Sequence, residues 1–259
     1  MSKPTHLEPS KLGTKEYWDN LYETEITNHA HDPSDTGTAW FDDSDAERKL
    51  IEFLEETPEL ELSQETTSFL DLGTGNGALL SGLRAAGWTG RMLGVDYSRK
   101  SVEFARRIEL ERQREAASDE ETADAAVPIE FQEYDILQTP ASALLTESQS
   151  RGWDVVLDKG TFDAISLSSE TDPATGRRVA ESYKPKIMPL VRDDGGLFLV
   201  TSCNWTETEL HGWFEADADG DEWRFEQVNR VEYPSFSFGG VKGQTISSIC
   251  FKKVRNTKS

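Results

Sequence analysis

Cysteine and histidine are scarce in this sequence. Two cysteines, Cys203 and Cys250, and four histidines occur among 259 residues. The cysteines lie far apart, in segments that read as buried strands or strand ends. Neither a disulfide framework nor a metal site with closely spaced ligands is therefore predicted. Such sparing use of cysteine is typical of a reducing compartment.

Long apolar runs are also missing. The sequence contains no run of about 18 apolar residues, so no membrane-spanning helix is predicted. The opening residues, "MSKPTHLEPSKLG", have no apolar stretch that would indicate a signal peptide. We therefore expect a cytoplasmic protein that makes no contact with a membrane.

Basic side chains are in the minority. There are 27 lysines and arginines against 48 aspartates and glutamates, a formal net charge of −21. A nucleic-acid-binding surface needs basic groups to neutralise phosphates, so a direct nucleic-acid partner is disfavoured. The charge favours a basic partner, although solubility alone explains it equally well. The chain is expected to act as a monomer.

Strands and helices alternate from residue 67 onward. Five apolar segments read as strands that precede helices or loops: "TSFLDLG", "RMLGVDYS", "IEFQEYDI", "WDVVLDKG" and "GGLFLVTS". Two further strands, "WRFEQVNRVEYP" and "ISSICFKKV", follow without a clear helix between them. This order predicts an α/β, doubly wound, Rossmann-like fold with a mainly parallel seven-stranded sheet and an antiparallel last strand at its edge. One substantial helix is expected over residues 171–191.

Three regions are predicted along the chain. Residues 1–13 are polar and are expected to be a mobile tail. Residues 14–66 form an N-terminal helical extension, and residues 67–259 form the α/β domain. Within that domain, residues 111–127 are acidic and lack large apolar side chains, which predicts a disordered insertion.

A glycine-rich loop lies between the first strand and its helix. In "LDLGTGNGALL", Asp71 precedes Gly73, Gly75 and Gly77, with Asn76 among them. Glycine backbone can adopt positive φ and approach a ligand closely, so this loop is predicted to bind a nucleotide-like molecule. The alternative is a tight turn that serves only strand–helix packing.

Four successive strands end with an aspartate at the same edge of the sheet. These are Asp71, Asp96, Asp135 and Asp158. A buried carboxylate is costly unless it is paired, so four of them indicate a ligand with several donors and a positive centre.

The second and third of these aspartates suggest how a nucleoside is held. Asp96, followed by Tyr97, is placed to accept ribose hydroxyls. Asp135 is placed to accept an adenine amino group while Ile136 packs on the ring. A helix cap at Asp96 and a structural role for Asp135 remain open.

The loop spacing separates two classes of ligand. A dinucleotide site has the pattern G-x-G-x-x-G, whereas this loop is G-x-G-x-G, and the Asp71 carboxylate would repel a pyrophosphate. The same carboxylate suits the ammonium and sulfonium groups of S-adenosylmethionine. A nicotinamide-dependent oxidoreductase and a catalytically silent cofactor-binding module remain alternatives.

These segments resemble the motifs of the seven-β-strand methyltransferase superfamily over residues 67–254. Together with "LGTKEYWDNLYETE", "DTGTAWF", "LDKGTFDAISLS" and "YPSFSFGG", they resemble the fungal See1-like branch of the protein-lysine methyltransferases that modify translation elongation factor 1-alpha. The resemblance implies S-adenosylmethionine as the methyl donor and a lysine of that elongation factor as the acceptor. Another protein, or a small molecule, remains an alternative acceptor.

Methyl transfer to lysine requires a neutral amine, and burial favours that form. An acceptor channel with aromatic walls is therefore expected. Asp158, at the tip of the fourth strand, and the following Phe162 are predicted as catalytic residues. Four aromatic residues that precede the core are predicted to cover the cofactor, although core packing explains them equally well: Tyr17, Trp18, Trp40 and Phe41.

Two further sequence features bear on the acceptor: a pair of phenylalanines near the C-terminus and the turn after the fourth strand. Phe236 and Phe238 belong either to the substrate wall or to a structural hairpin. Methyltransferases that modify exocyclic amines of DNA or RNA bases often have a proline-containing turn that holds the flipped base. The turn "DKGTF" has no proline, and this difference disfavours nucleic acid as the acceptor.

Overall fold

The computed structural model describes residues 4–118, 127–216, 221–234, 236–238, 241–243 and 245–256. Seven α-helices lie within these residues: α1 (Lys15–His31), α2 (Ala46–Glu56), α3 (Ala78–Ala85), α4 (Arg99–Ser118), α5 (Thr161–Ser166), α6 (Tyr183–Ile187) and α7 (Glu207–Phe214). None of the helices in the described part is long and apolar enough to cross a membrane.

The described residues form nine strands in two sheets. The strands are β1 (Phe69–Leu72), β2 (Met92–Asp96), β3 (Glu130–Glu133), β4 (Val155–Lys159), β5 (Leu197–Ser202), β6 (Trp223–Val231), β7 (Phe236–Phe238), β8 (Val241–Gly243) and β9 (Ser247–Arg255). Seven of them form the main sheet in the order β3-β2-β1-β4-β5-β9-β6, and β7 pairs with β8 as a separate hairpin.

The predicted doubly wound sheet is confirmed, with a correction to the position of its antiparallel strand. Strands β1 to β5 are parallel, and β9 is antiparallel to both β5 and β6. The last strand therefore lies one position in from the edge. The chain passes from β5 through α7 to β6 without pairing these two strands, and β9 then pairs with both of them.

The predicted single helix over residues 171–191 is wrong. That stretch contains only the five-residue α6 between two short 3-10 turns. The reason is local, because Pro173, Gly176, Pro185 and Pro189 interrupt any longer helix. The first helix after β4 is instead α5, which begins two residues after that strand ends.

The central strands of the sheet are buried on both faces. All six residues of β5 are buried, and alternate ones point into the two core layers: Phe198 and Val200 into one, Leu197 and Leu199 into the other. Such two-sided burial is expected of central parallel strands covered by helices. Polar groups of the strands are consequently concentrated at the carboxyl edge.

The segment predicted as a mobile tail makes specific contacts in its described part. The Ser10 N–H donates to the Leu167 carbonyl (3.0 Å), and the Trp18 indole N–H donates to the Leu12 carbonyl (2.8 Å). A Cβ at Gly13 would lie 2.2 Å from the Leu167 backbone, so the backbones of these two segments are in direct contact. Residues 10–13 thus pack on the end of α5, and residues 1–3 lie outside the described residues.

The predicted acidic insertion at 111–127 falls partly outside the described residues. Positions 111–118 are the last two turns of α4 rather than a disordered segment. In the turn before them, Glu109 is buried and bonded to Arg112, Gln113 and the Ile129 amide, which ties α4 to the start of β3. Positions 119–126 are not among the described residues.

Candidate active site

A deep pocket opens at the carboxyl edge of the sheet. It lies where the chain order reverses, since β1 pairs with β2 on one side and with β4 on the other. Ligands of open α/β sheets bind at such switch points. Its lining includes most of the predicted cofactor residues: Trp18, Trp40, Asp71, Gly73, Gly75, Asn76, Asp96, Tyr97, Asp135 and Ile136.

The glycine loop leaves backbone exposed to this pocket. Gly73 and Gly75 have φ of 65° and 59°, which favours glycine over any other residue. A Cβ at Gly75 would lie 2.7 Å from the Tyr22 hydroxyl, and one at Gly73 would lie 2.0 Å from Thr161 Oγ1. Tyr22 and Thr161 can therefore pack on the loop, while its backbone also lines the pocket, only because these positions carry no side chain.

The last glycine and the asparagine of the loop have different roles. Gly77 does not line the pocket, and a Cβ there would lie 2.7 Å from the Phe131 ring. Gly77 therefore packs on Phe131 at the start of α3, and its contact with a ligand stays a prediction. Asn76 lines the pocket, donates to the Thr36 carbonyl (2.9 Å) and accepts from the Ala78 amide (3.2 Å).

Asp96 is a carboxylate of the pocket that accepts three hydrogen bonds within the protein. Its Oδ1 accepts the Ser98 amide (2.8 Å), and its Oδ2 accepts the Gly75 amide (3.2 Å) and the Ser101 hydroxyl (2.8 Å). Burial raises the pKa of Asp96 to about 6 despite these bonds. Because Oδ1 has a second lone pair, Asp96 can accept one more donor from a ligand without any rearrangement.

Asp71 is buried beside the glycine loop. It is 3% exposed and lines the pocket. Burial raises the pKa of Asp71 to about 7, against the lowering effect of the Lys159 charge. A group of this kind titrates near neutral pH and favours a cationic ligand that would stabilise its ionised form.

The third strand contributes an adenine-sized part of the pocket. Asp135 Oδ1 accepts the amides of Leu137 (2.9 Å) and Gln138 (3.2 Å), while Ile136 is buried in the lining. Tyr97 lies at the tip of β2, and the Lys15 ammonium is 5.5 Å from its ring centroid. These contacts place a carboxylate, an apolar side chain and an aromatic ring around one space.

Trp18 and Trp40 both line the pocket and contact each other. Their ring centroids are 5.3 Å apart in an edge-on arrangement, and Trp18 also stacks on Tyr22 at 6.4 Å. The Trp40 indole N–H is buried without a hydrogen-bond partner among the described residues. The N-terminal residues thus form a cover over the pocket, and Tyr22 of α1 also lines it.

Asp158 and Phe162, the two residues predicted as catalytic, do not line the pocket. Asp158 is 1% exposed, and its carboxylate accepts the amides of Thr161 (2.8 Å) and Phe162 (3.1 Å) and the Tyr183 hydroxyl (2.6 Å). Phe162 is equally buried, stacked on Tyr183 with ring centroids 5.3 Å apart. In this structure Asp158 accepts amides at the start of α5 and the hydroxyl of Tyr183 in α6, and a role for this pair in catalysis stays a prediction.

We expect Tyr183→Phe to lower the free energy of unfolding by roughly 1.5–3 kcal/mol, because the buried Asp158 loses a strong donor. Burial raises the pKa of Asp158 to about 7, so urea unfolding at pH 8 tests the ionised form. Tyr233→Phe is the matched control, since its buried hydroxyl bonds to the neutral Ser248 hydroxyl (2.8 Å) and to no charged group among the described residues. A marked loss of S-adenosylhomocysteine affinity in Tyr183→Phe would instead place Asp158 in the site.

The rest of the pocket is formed by the tips of β4 and β5. Lys159 donates to the Trp40 carbonyl (3.2 Å) and pairs with Glu47 (3.2 Å). Asp163 accepts the Cys203 amide (2.8 Å) and the Ser202 hydroxyl, which fixes the loop after β5 against the pocket. The sequence analysis missed Lys159, although its place beside Asp158 in "LDKG" already put it at the strand tip.

The residues present fit S-adenosylmethionine. The bare backbone at Gly73 and Gly75, the open lone pair of Asp96 and the buried carboxylate of Asp71 match a methionine moiety, a ribose and a positive centre. No grouping of three or more histidine, cysteine or acidic side chains in the described part of the chain is arranged to hold a metal ion.

Comparisons with known proteins agree with this site. Residues 63–233 match the family model described as "Methyltransferase domain". The chain is 39% identical over 254 residues to "Protein-lysine N-methyltransferase EFM4" of Saccharomyces cerevisiae, covering 98% of this chain and 99% of that protein.

A vertebrate protein and a solved structure are also similar. "EEF1A lysine methyltransferase 2" of Danio rerio is 33% identical over 252 residues, which is 97% of this chain and 92% of that protein. A TehB-like SAM-dependent methyltransferase from Corynebacterium glutamicum matches in structure with a TM-score of 0.51 at 13% identity, covering 93% of this chain and 100% of that chain. At that identity the match supports the fold alone.

Proposed function

This chain belongs to the methyltransferase-domain family and to the protein-lysine N-methyltransferases related to EFM4 and EEF1A lysine methyltransferase 2, and from that membership we infer what it does. It transfers a methyl group from S-adenosylmethionine to a lysine of translation elongation factor 1-alpha. The observation that carries the proposal is the pocket that combines bare backbone at Gly73 and Gly75 with the carboxylates of Asp71 and Asp96.

Each part of the pocket has a proposed role toward the methyl donor. Asp96 accepts a ribose hydroxyl, and Asp135 and Ile136 hold the base. The backbone of Gly73 and Gly75 lies along the methionine moiety, and the Asp71 carboxylate faces its positive charge. When bound, S-adenosylmethionine supplies a methyl group on a positively charged sulfur, which leaves as the neutral thioether S-adenosylhomocysteine.

The cover of aromatic residues serves the acceptor as well. An exposed lysine amine has a pKa of about 10.4, so it is protonated at neutral pH. Burial against Trp40 and Phe41, which both line the pocket, disfavours the ammonium form and favours the neutral amine that can react. Alignment of that amine by the pocket walls supplies the proximity on which the transfer depends.

The remaining expectations concern the molecule as a whole. We propose that the protein works as a cytoplasmic monomer on a protein substrate and does not bind nucleic acid or membranes. The net charge of −21 supports a basic partner. The proposed division is a helical extension over residues 14–66 followed by a methyltransferase domain over residues 67–259.

The direct test is methylation of purified elongation factor 1-alpha. The protein and S-adenosylmethionine are incubated with it, and its lysines are examined by mass spectrometry. One modified lysine is expected. Labelling of a different protein in a lysate would keep the methyl donor and overturn the acceptor, whereas stabilisation by NADH rather than by S-adenosylhomocysteine would overturn the donor.

Cofactor affinity is expected to depend on pH through Asp71. Its folded-state pKa is raised to about 7, so the carboxylate is mostly protonated at pH 6 and mostly ionised at pH 8. Because the ammonium of S-adenosylhomocysteine binds the ionised form, its dissociation constant should be about tenfold larger at pH 6 than at pH 8. Calorimetry at both pH values measures this difference.

Two controls isolate that carboxylate. Asp71→Asn should remove most of the pH dependence, because it leaves no titrating group at that position. 5′-Methylthioadenosine lacks the ammonium and should show little change between pH 6 and pH 8 in the unaltered protein. An equally large pH effect for both ligands would contradict the assignment of Asp71 to the amino group.

A further inference from the structure

Phe41 has a backbone conformation that a bulky residue rarely adopts. Its φ and ψ are 66° and 27°, in the left-handed region. Asp45, four residues later, has φ and ψ of 54° and 41°, and the two residues flank a 3-10 turn that leads into α2. Left-handed aspartate is tolerated, but left-handed phenylalanine is strained and persists only where its surroundings hold it.

The surroundings of Phe41 hold it from three sides. Its carbonyl accepts the amides of Ser44 (3.2 Å) and Ala46 (3.3 Å). The preceding Trp40 carbonyl accepts from the Lys159 ammonium (3.2 Å), which also pairs with Glu47.

The C-terminal end of the 3-10 turn is held by a contact with another part of the chain. The Ser44 hydroxyl lies 2.6 Å from the Thr245 hydroxyl, at the entrance to β9. Residues 40–47 are thus tied to the tip of β4 and to the strand that follows the β7–β8 hairpin.

This conformation puts the Phe41 ring over the tip of β4. A Cβ at Gly160 would lie 3.2 Å from the ring, so the ring rests on the glycine backbone. Gly160 itself has φ of 88°, which also favours a residue without a side chain. The Lys159 ammonium lies 6.0 Å from the ring centroid on the same side. Phe41 and Gly160 both line the pocket.

The pocket divides into two halves, and Phe41 lies in the half that the methyl donor does not need. The nucleoside features, Asp96, Asp135 and Ile136, are at the tips of β2 and β3, and the glycine loop follows β1. The other half is formed by the tips of β4 and β5, with Asn204 from the loop after β5. With the methionine moiety proposed to lie along the glycine loop, this other half is left for the acceptor. The acceptor side chain therefore approaches over β4.

We propose that Phe41, held in its left-handed conformation by the turn over residues 40–47, is the wall of the acceptor channel and determines how the lysine side chain of the protein substrate is admitted. It takes the role that the sequence suggested for Phe162. The proposal rests on the proposed function, because it requires a lysine acceptor. Lys159 and Glu47 are positioning residues that keep the turn in place.

Two substitutions at position 41 distinguish the effect of the aromatic ring from that of the left-handed backbone conformation. Phe41→Ala removes the ring and leaves the strained backbone, whereas Phe41→Gly removes the ring and adopts the left-handed conformation without strain. Phe41→Gly should therefore fold at least as well as Phe41→Ala. Phe53→Ala is the matched control, since Phe53 is a partly buried core residue of α2 that does not line the pocket.

The measurements are steady-state kinetics on purified elongation factor 1-alpha and calorimetry with S-adenosylhomocysteine. For both Phe41 variants we expect KM for the protein substrate to rise at least about fivefold, with S-adenosylhomocysteine affinity within about twofold of the unaltered protein. The Phe53 control should keep its KM. Unchanged KM and kcat in both Phe41 variants, or a parallel loss of S-adenosylhomocysteine affinity, would overturn the proposal.

The unaltered protein distinguishes failure of this proposal from failure of the proposed function. If it methylates a different protein, the acceptor assignment fails, and the same variants are compared on that protein. If it methylates no protein while binding S-adenosylhomocysteine, both proposals are overturned.

Discussion

Gly75→Val is expected to weaken binding of S-adenosylhomocysteine at least about a hundredfold while leaving most of the fold intact. The valine side chain would occupy the space where backbone now faces the pocket, and its Cβ would lie 2.7 Å from the Tyr22 hydroxyl. Its left-handed φ of 59° adds a backbone penalty of roughly 1–2 kcal/mol for any residue with a side chain. Calorimetry gives the affinity, and thermal unfolding gives the stability.

Gly176→Val is the matched control for this loss. Gly176 also has a positive φ, 68°, but it has no heavy atom within 4 Å of its Cβ position and does not line the pocket. It should show a similar backbone penalty without any loss of affinity. Retained binding in Gly75→Val would mean that the loop serves only as a turn between β1 and α3.

Asp96→Ala is expected to weaken S-adenosylhomocysteine binding by about ten- to a hundredfold. A hydrogen bond to a charged acceptor contributes roughly 1.5–3 kcal/mol, and each 1.4 kcal/mol is a factor of about ten in affinity. The structure adds a second consequence, because the same carboxylate accepts the Gly75 and Ser98 amides and the Ser101 hydroxyl. Thermal stability should therefore fall as well.

Ser101→Ala separates the two consequences. It removes one internal donor from Asp96 and the bond to the Gly75 carbonyl (2.8 Å), but leaves the carboxylate available to the ligand. We expect its affinity for S-adenosylhomocysteine to stay within about threefold, with a loss of stability near 1 kcal/mol. Equal losses of affinity in Asp96→Ala and Ser101→Ala would mean that Asp96 acts through the loop rather than through the ribose.

The residues before β1 contribute several aromatic side chains to the pocket. Trp18 and Tyr22 come from α1, and Trp40 and Phe41 come from the segment between α1 and α2. These aromatic side chains come from a region that the sheet itself does not require. Their joint removal of water from the pocket strengthens the interaction of Asp71 and Asp96 with a cationic ligand.

The family and the fold class could be predicted from the sequence, and both are confirmed. Strand and helix periods, the glycine loop between β1 and α3, and an aspartate at the tip of β2 are local patterns. Parallel strands bring such patterns to one edge whatever the details of packing. Ten of the predicted cofactor residues line the pocket for this reason.

The direction of individual side chains depended on the tertiary structure alone. Asp158 and Lys159 are neighbours at the end of β4, and strand alternation turns only one of them toward the pocket. Asp158 turns into the core, where its carboxylate accepts the hydroxyl of Tyr183, 25 residues later in the chain. Phe162 follows Asp158 into that core, and Gly77 packs on Phe131.

By itself, then, the sequence determined the sheet, the switch point and the donor half of the pocket, because each depends on residues close together in the chain. Only the tertiary structure decided the acceptor half. There a left-handed phenylalanine at position 41 meets a glycine at position 160, and contacts between residues so distant in sequence leave no periodic signal.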